Sequence, residues 1–248
     1  MIVPGWGRIN ACLRQLTQLL PCICVVCGRS EGNPNNLCDV CASELPWIQQ
    51  ACNRCGVAAS VIPILDNCCG KCRVSPPPFN TCRGLFHYQA PIDKLITGYK
   101  FNARFEFGFA LSFLLAQRMQ LHYQYDERPD LILAVPLHSK RLRERGFNQA
   151  LEIARVVSRQ CMIPLSKAVI ARFRETAPQT EIGSRRARAL NMKAAFSLKQ
   201  QRVLENVKYV AVIDDVVTTM ATVISLSDVL LRAGVERLDI WCLARASR

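Results

Sequence analysis

The sequence predicts an α/β protein, a parallel sheet flanked by helices, preceded by a small cysteine-rich module. Three observations predict it. After residue 83, strand-length apolar runs alternate with segments of helical spacing. Before that point lie twelve of the fourteen cysteines. Between the two patterns stands Pro76-Pro77-Pro78, which fits neither a helix interior nor a central strand and reads as a stiff linker. The expected domains are therefore 1–82 and 83–248.

The first segment has little periodic apolar pattern and much Gly, Asn and Pro, as expected where a metal replaces a hydrophobic core. Four Cys-x-x-Cys pairs stand in it: Cys24/Cys27, Cys38/Cys41, Cys52/Cys55 and Cys69/Cys72. Such a turn places two thiolates on one cation, and a second pair completes a tetrahedron. Four pairs give two closed, structural Zn²⁺ sites. A single pair also suits a thioredoxin-like redox turn, but no pair here has the strand-then-helix context of that motif. Gly28 and Gly56, each following the second cysteine of a pair, suit a sharply turning knuckle. Cys22 and Cys68 are spare and leave the ligand choice open. Cys12, Cys82, Cys161 and Cys242 are assigned to packing.

In the second segment, residues 84–88 read as a strand, and 92–98 and 105–119 as helices interrupted around 100–104. Residues 131–135 form a buried-strand run stopped by Pro136, and 147–157 repeat apolar residues at helical intervals. Residues 174–188 are polar and Arg-rich and predict a long loop. A second apolar strand at 209–213 runs into Asp214-Asp215; a helix follows from about 219 or 221 to 233, closed by Gly234. Residues 237–244 make a third strand. Strands alternating with helices imply right-handed crossovers and a parallel sheet.

The formal charge of +13 is uneven: residues 1–82 hold six basic and four acidic side chains, net +2, and 138–193 hold thirteen and four, net +9. That density suits phosphate-rich ligands, pyrophosphate or a nucleic-acid backbone, and equally a solvated basic face. Half the residues are hydrophobic, which excludes a disordered chain. Residues 1–14 show no signal-peptide pattern, and no uncharged apolar stretch approaches the roughly 20 residues of a membrane helix. The expected compartment is the cytoplasm, whose reducing conditions favour metal-bound over disulfide-bonded cysteines.

Residues 210–222, Val-Ala-Val-Ile-Asp-Asp-Val-Val-Thr-Thr-Met-Ala-Thr, resemble the phosphoribosyl-pyrophosphate (PRPP) motif of type I phosphoribosyltransferases. The chemistry agrees. Paired acids at the carboxyl end of a parallel strand can accept from two ribose hydroxyls. A loop of small hydroxyl residues opening a helix offers amides and a positive dipole end to a 5-phosphate. Another α/β fold can place a magnesium site on such an acid pair, but the Thr-Thr-x-x-Thr continuation argues against it. Over nearly its whole length the chain is similar to the ComF/GntX family of competence-associated, phosphoribosyltransferase-like proteins with an N-terminal double zinc ribbon. Besides the cysteine pairs, the resemblance rests on 76–79, Lys100-Phe101, 135–138, 141–150, Pro178-Gln179, Arg188, Asn191, Ala195-Phe196 and 241–245, with Arg145-Gly146-Phe147-Asn148-Gln149 the most specific.

The resemblance implies that Asp214 and Asp215 hold the ribose as the catalytic acids, with Val216 and Val217 lining the site. It implies that Thr218, Thr219, Met220, Ala221 and Thr222 form the 5-phosphate loop, and that Val135, Pro136 and Leu137 form the pyrophosphate loop. Lys100, Arg143 and Arg145 neutralise pyrophosphate, 174–188 supplies a hood, and Mg²⁺ accompanies PRPP. It implies pentosyl transfer, or nucleotide salvage with an unread acceptor, and a role in DNA uptake, transformation and single-stranded DNA handling with competence-machinery partners. Met220 departs from the family's glycine, which favours binding over efficient turnover. His138 is read as a packing or hydrogen-bonding residue rather than a base.

Overall fold

The computed structural model describes residues 22–30, 33, 35–167, 169–173 and 195–246, and the chain divides into two compact units, Met1–Leu45 and Pro46–Arg248. Compactness thus divides the chain earlier than the modules 1–82 and 83–248 that the sequence suggests. The second group of cysteines belongs to the same unit as the sheet.

In the smaller unit, α1 (Asp39–Glu44) starts at Cys38, whose sulfur accepts from the Cys41 amide at 3.5 Å. Leu37 and Leu45 are its buried aliphatic side chains among the described residues. So small an apolar complement leaves the cysteine group as the centre of cohesion.

The larger unit opens with a two-stranded antiparallel ribbon, β1 (Ile64–Leu65) and β2 (Cys68–Cys69), and the one-turn α2 (Gly70–Val74). Pro77 is buried and its carbonyl accepts from Arg54 at 3.3 Å, so the triple proline is tied down rather than acting as a free spacer. The chain continues through β3 (Thr81–His87), α3 (Ile92–Asn102), α4 (Phe105–Tyr123), β4 (Leu131–Ala134), α5 (Ser139–Arg145), α6 (Gln149–Cys161) and β5 (Leu165–Ser166). A short ribbon, β6 (Ile170–Arg172) with β7 (Phe196–Leu198), flanks the expected loop 174–188, which lies outside the described residues. A 3-10 turn (Gln201–Leu204), β8 (Tyr209–Val217), α7 (Ala221–Arg232) and β9 (Arg237–Arg245) complete it.

Five strands form one parallel sheet in the order β3-β9-β8-β4-β5. Its central strands read as continuous apolar runs because both faces are covered. Val210, Val212 and Ile240 pack with Val223, Leu226 and Leu230 of α7 on one face. By strand alternation Ala211 and Ile213 point to the other, where α6 packs on β8, β4 and α4.

Several boundaries moved. The sequence predicts a helical interruption at 100–104, but α3 runs to Asn102 and breaks at Ala103, which adopts the left-handed conformation at φ 49°. Lys100 therefore stands in the last turn of a helix. Helix α5 and the β6/β7 ribbon are too short and polar to announce themselves by periodicity. β8 extends four residues past its apolar run because β9 continues to pair with it through Val217↔Arg245.

Candidate functional site

The acid pair lies where β8 loses a neighbour. Ala134 pairs with Ile213 as the last rung between β4 and β8, and the Val135 amide still donates to the Ile213 carbonyl at 2.9 Å. Pro136 has no amide to continue the ladder, and the chain turns away. Among the described residues β8 is paired beyond Ile213 only with β9, the place at the carboxyl ends of the strands where a parallel sheet leaves room for a crevice. Asn148 holds the crevice wall. Its Oδ1 accepts from the Ala150 amide at 3.1 Å, capping α6, while its Nδ2 donates to the Val135 carbonyl at 3.1 Å.

Strand alternation sends the two carboxylates to opposite faces. Asp215 faces α3, where Lys100 Nζ meets its Oδ2 at 2.8 Å with both side chains largely buried. Burial first, and Arg141 beside it, draw the Arg145 guanidinium below its usual pKa with the Asp215 charge opposing, and its guanidinium carbon lies 4.8 Å from the Phe101 ring centroid. A 330 Å³ cavity opens here between the end of α3 and α5, lined by Lys100, Phe101, Arg141, Glu144, Arg145 and Phe147 with Ala103. Asp214 faces β6, where its charge reaches Arg172. Burial first, and then the Asp215 charge, push the Asp214 carboxyl well above the ordinary carboxylate range, with Lys100 opposing.

Of the residues the sequence singles out, Lys100 and Arg145 line this cavity, Asp215 meets it through Lys100, and the Val135 amide bonds to Ile213 beside Asp214; Val135, Pro136, Leu137, Asp214 and Asp215 are not among its lining residues. Arg143 is exposed and outside the set that lines the cavity. His138 caps α5, its Nδ1 accepting from the Lys140 amide at 3.3 Å, a hydrogen-bonding role. Val216 is half-buried and Val217 buried, while Thr218 and Thr219 are exposed. Met220 adopts φ 63° and opens α7 without a side-chain cap. The left-handed conformation is the reason a glycine is natural at this position, and a side chain there costs about 1–2 kcal/mol. The first intrahelical bond runs from the Ile224 amide to the Met220 carbonyl at 2.8 Å, so the amides of Ala221, Thr222 and Val223 have no acceptor within the helix. Arg172 is a neighbour of Asp214 that sequence reasoning missed. It precedes the long loop, and no local pattern marks a half-buried arginine as a neighbour of the acid pair.

The cysteines assemble as the spacing requires. Cys24, Cys27, Cys38 and Cys41 form one group and Cys52, Cys55, Cys69 and Cys72 another, each with its sulfurs within 4.8 Å of one another. Cys27 and Cys38 sulfurs are 3.9 Å apart and those of Cys55 and Cys69 3.8 Å. A tetrahedron of Zn–S bonds of about 2.3 Å has edges of roughly 3.8 Å, so both groups fit zinc. Gly28 and Gly56 take φ 75° and 68°, and their amides donate back to Cys24 and Cys52 carbonyls at 2.9 and 2.8 Å. Against the upward push of burial, backbone amides hold the Cys24 and Cys52 thiols down to about 6, while burial and the neighbouring sulfurs push Cys41, Cys55 and Cys72 up, so each group divides its protons unevenly. Cys82, Cys161 and Cys242 are buried and belong to neither four-cysteine group; Cys82 nonetheless abuts the second knuckle, its amide donating to the Asn53 carbonyl at 3.1 Å, and Cys12 lies outside the described residues.

The second group adjoins the loop after the acid pair. Met220 packs against the Cys52, Cys55, Cys69 and Cys72 cluster. Buried Arg245, at the end of β9, donates from Nε to the Cys55 carbonyl at 3.0 Å and from Nη1 to the Val217 carbonyl at 3.0 Å, with further bonds to the Thr218 and Ala246 carbonyls. One guanidinium therefore ties a zinc knuckle to the start of the 218–222 loop. The sequence pointed to Arg245 only as part of a matching segment and gave no hint of this role.

These features define an α/β protein with an acid pair at the carboxyl end of a central strand of a parallel sheet and two four-cysteine groups that fit zinc. The chain is 34% identical to the DNA utilization protein YhgH of Escherichia coli (strain K12) over 226 residues, 90% of each chain. The same-named protein of Salmonella typhi is 32% identical over 242 residues, 97% of this chain and 91% of that one. Competence protein F of Haemophilus influenzae is 35% identical over 162 residues, 64% of this chain and 70% of that one. The chain belongs to this family, that of YhgH and competence protein F (ComF). No protein-family model matches it. A solved structure described as the allosteric regulatory enzyme of purine biosynthesis aligns at 16% identity over 54% of this chain and 26% of that one, with a TM-score of 0.35, too low to carry an argument. Among the described residues no helix is long and apolar enough to cross a membrane.

Proposed function

We propose that the crevice binds the 5-phosphoribosyl group of PRPP or of a related phosphorylated ribose, and that the protein uses this binding in handling DNA. The observation that carries the reading is the Asp214-Asp215 pair at the strand end, with Lys100 ion-paired to Asp215 and the first amides of α7, which have no acceptor within the helix, six to eight residues beyond the pair. The carboxylates accept from the two ribose hydroxyls, and the amides of Ala221, Thr222 and Val223 receive the 5-phosphate. Lys100 and Arg145 meet the pyrophosphate, and the 135–137 loop, pinned by Asn148, bounds it. Mg²⁺ suits the oxygen donors of the acid pair and would neutralise pyrophosphate charge there. Binding would free Lys100 from Asp215 to reach the anion.

The names of the relatives, DNA utilization and competence, support a role in DNA use, and the basic span 138–193 suits a phosphate backbone. Pentosyl transfer to an acceptor is the finer form of the same reading, and the strained Met220 favours binding over rapid turnover.

Titration calorimetry of PRPP with Mg²⁺ into the full chain tests it. Binding weakened roughly 10- to 100-fold by Asp215→Asn and by Lys100→Ala, the loss of one or two charge-assisted hydrogen bonds each, is the expected result. No binding by the wild type, or binding by both variants as tight as that of the wild type, overturns the reading. Pyrophosphate release with a panel of bases, ammonia and nucleosides then separates a transferase from a binder.

A further inference from the structure

A second and larger concavity, 630 Å³, lies in the same unit and shares no lining residue with the crevice. Its floor is the segment 82–85 of β3 with Trp241 of β9. One wall is the segment 48–53 with Asp66 and Asn67 of the cysteine-rich region, and the other is the last turns of α4. Three polar features converge on it. Arg83 lies with its guanidinium carbon 5.8 Å from the Trp241 ring centroid, and its Nε is buried with no hydrogen-bond acceptor among the described residues. Arg118 stands across the cleft, exposed and without an ion-pair partner among the described residues. The side-chain amides of Gln49, Gln50, Asn53 and Asn67 likewise make no hydrogen bond among the described residues.

The lining is also electrostatically one-sided. Its sole acid, Asp66, is ion-paired with Arg73 at 2.8 Å, so it does not neutralise the two arginines. Buried polar atoms are nearly always satisfied, and an unsatisfied guanidinium nitrogen beside a cavity marks a place for an acceptor the protein does not supply. Guanidinium groups match phosphate oxygens, and carboxamides pair a donor and an acceptor with the edge of a nucleobase. Exposed Leu121 and half-buried Ile64 offer apolar area for the face of a ring. The volume lies within the roughly 300–1,000 Å³ of small-ligand sites.

We propose that this cleft binds a nucleotide, its phosphate against Arg83 and Arg118 and its base edge against the carboxamides of the cysteine-rich wall. A free mononucleotide and one nucleotide of a single strand present the same chemistry. The proposal stands on its own residues and does not require the phosphoribosyl reading.

Calorimetric titration of the full zinc-loaded chain with deoxynucleoside monophosphates, and separately with a short single-stranded oligodeoxynucleotide, tests it. The expected result is saturable binding of at least one. Binding of the mononucleotides assigns the free ligand, and binding of the oligonucleotide alone assigns the strand. Arg118→Ala weakens it about tenfold, the loss of one charge-assisted hydrogen bond, and Arg118→Glu weakens it further. For the oligonucleotide, Arg118→Ala also lowers the salt slope by about one. Gln50→Ala weakens binding less, and Asp215→Asn, in the other crevice, leaves it unchanged. Both wall positions are exposed, so these variants keep the fold. The proposal is overturned if neither ligand binds, if Arg118→Glu binds as the wild type does, or if Asp215→Asn abolishes binding.

Discussion

The two cysteine groups have the same donors and nearly the same sulfur spacing, yet the fold uses them differently. The first sits in a small unit with few buried aliphatic side chains, and its Cys27 is exposed. The second is buried at all four cysteines, bears the side chain of Met220, and has its Cys55 carbonyl bonded to Arg245. In one place the cysteine group is the centre of a unit with little else buried; in the other it underlies the loop beside the acid pair. The same donor set thus serves two surroundings, according to what is packed on it.

Breaking the centres one at a time gives the largest expected effect. Cys52→Ser lowers bound zinc from two to one per chain by elemental analysis and destabilises the larger unit by on the order of 5 kcal/mol in urea unfolding, the scale of losing a metal site. Cys24→Ser removes the same amount of zinc and leaves that transition in place. Equal effects of the two on the larger unit would erase the contrast. Next comes Arg245→Met, which keeps the apolar stem but leaves the Cys55 carbonyl without its donor and Val217 with the Ala246 amide alone. A loss of about 3 kcal/mol is expected, with PRPP binding weakened even where the variant is folded.

Asp214 sharpens the comparison through pH. Its carboxyl is held well above the usual range, so the folded state keeps a proton that the unfolded chain has released. That contribution is fully present below the ordinary carboxylate pKa and is lost as pH rises through the raised value. Wild-type stability should therefore fall across that window, while Asp214→Asn flattens the profile and is the more stable at its alkaline end, as thermal melts at stepped pH would show. The smallest effect belongs to Met220→Gly. Relief of the left-handed strain, about 1–2 kcal/mol, is offset by lost packing on the cysteine cluster. A net change within about 1 kcal/mol is expected; a larger loss would mean that the side chain does more to hold the loop than its backbone costs.

The cysteine spacing was legible because a Cys-x-x-Cys turn is a local object: the two residues that share a metal are three apart whatever the rest of the chain does. The apolar runs at 131–135 and 209–213 were legible for the same reason, since strand and helix periods are written in consecutive residues. The approach of Lys100 to Asp215 was implied by resemblance alone. It depended on α3 running to Asn102, which a left-handed Ala103 decides and apolar spacing does not reveal. Helix α5 was missed because it buries none of its residues.

By itself the sequence determined the four Cys-x-x-Cys turns, the alternation of strands and helices, and the twin acids at the end of an apolar strand, all features whose causes lie within about a dozen neighbouring residues. Only the tertiary structure decided that β8 outruns β4 to open a crevice, that Arg245 reaches back 190 residues to Cys55, and that Met220 rests on the second cysteine group. Those contacts depend on strand register and on which surfaces meet after the chain has closed its long loops, and neither is encoded in any local period.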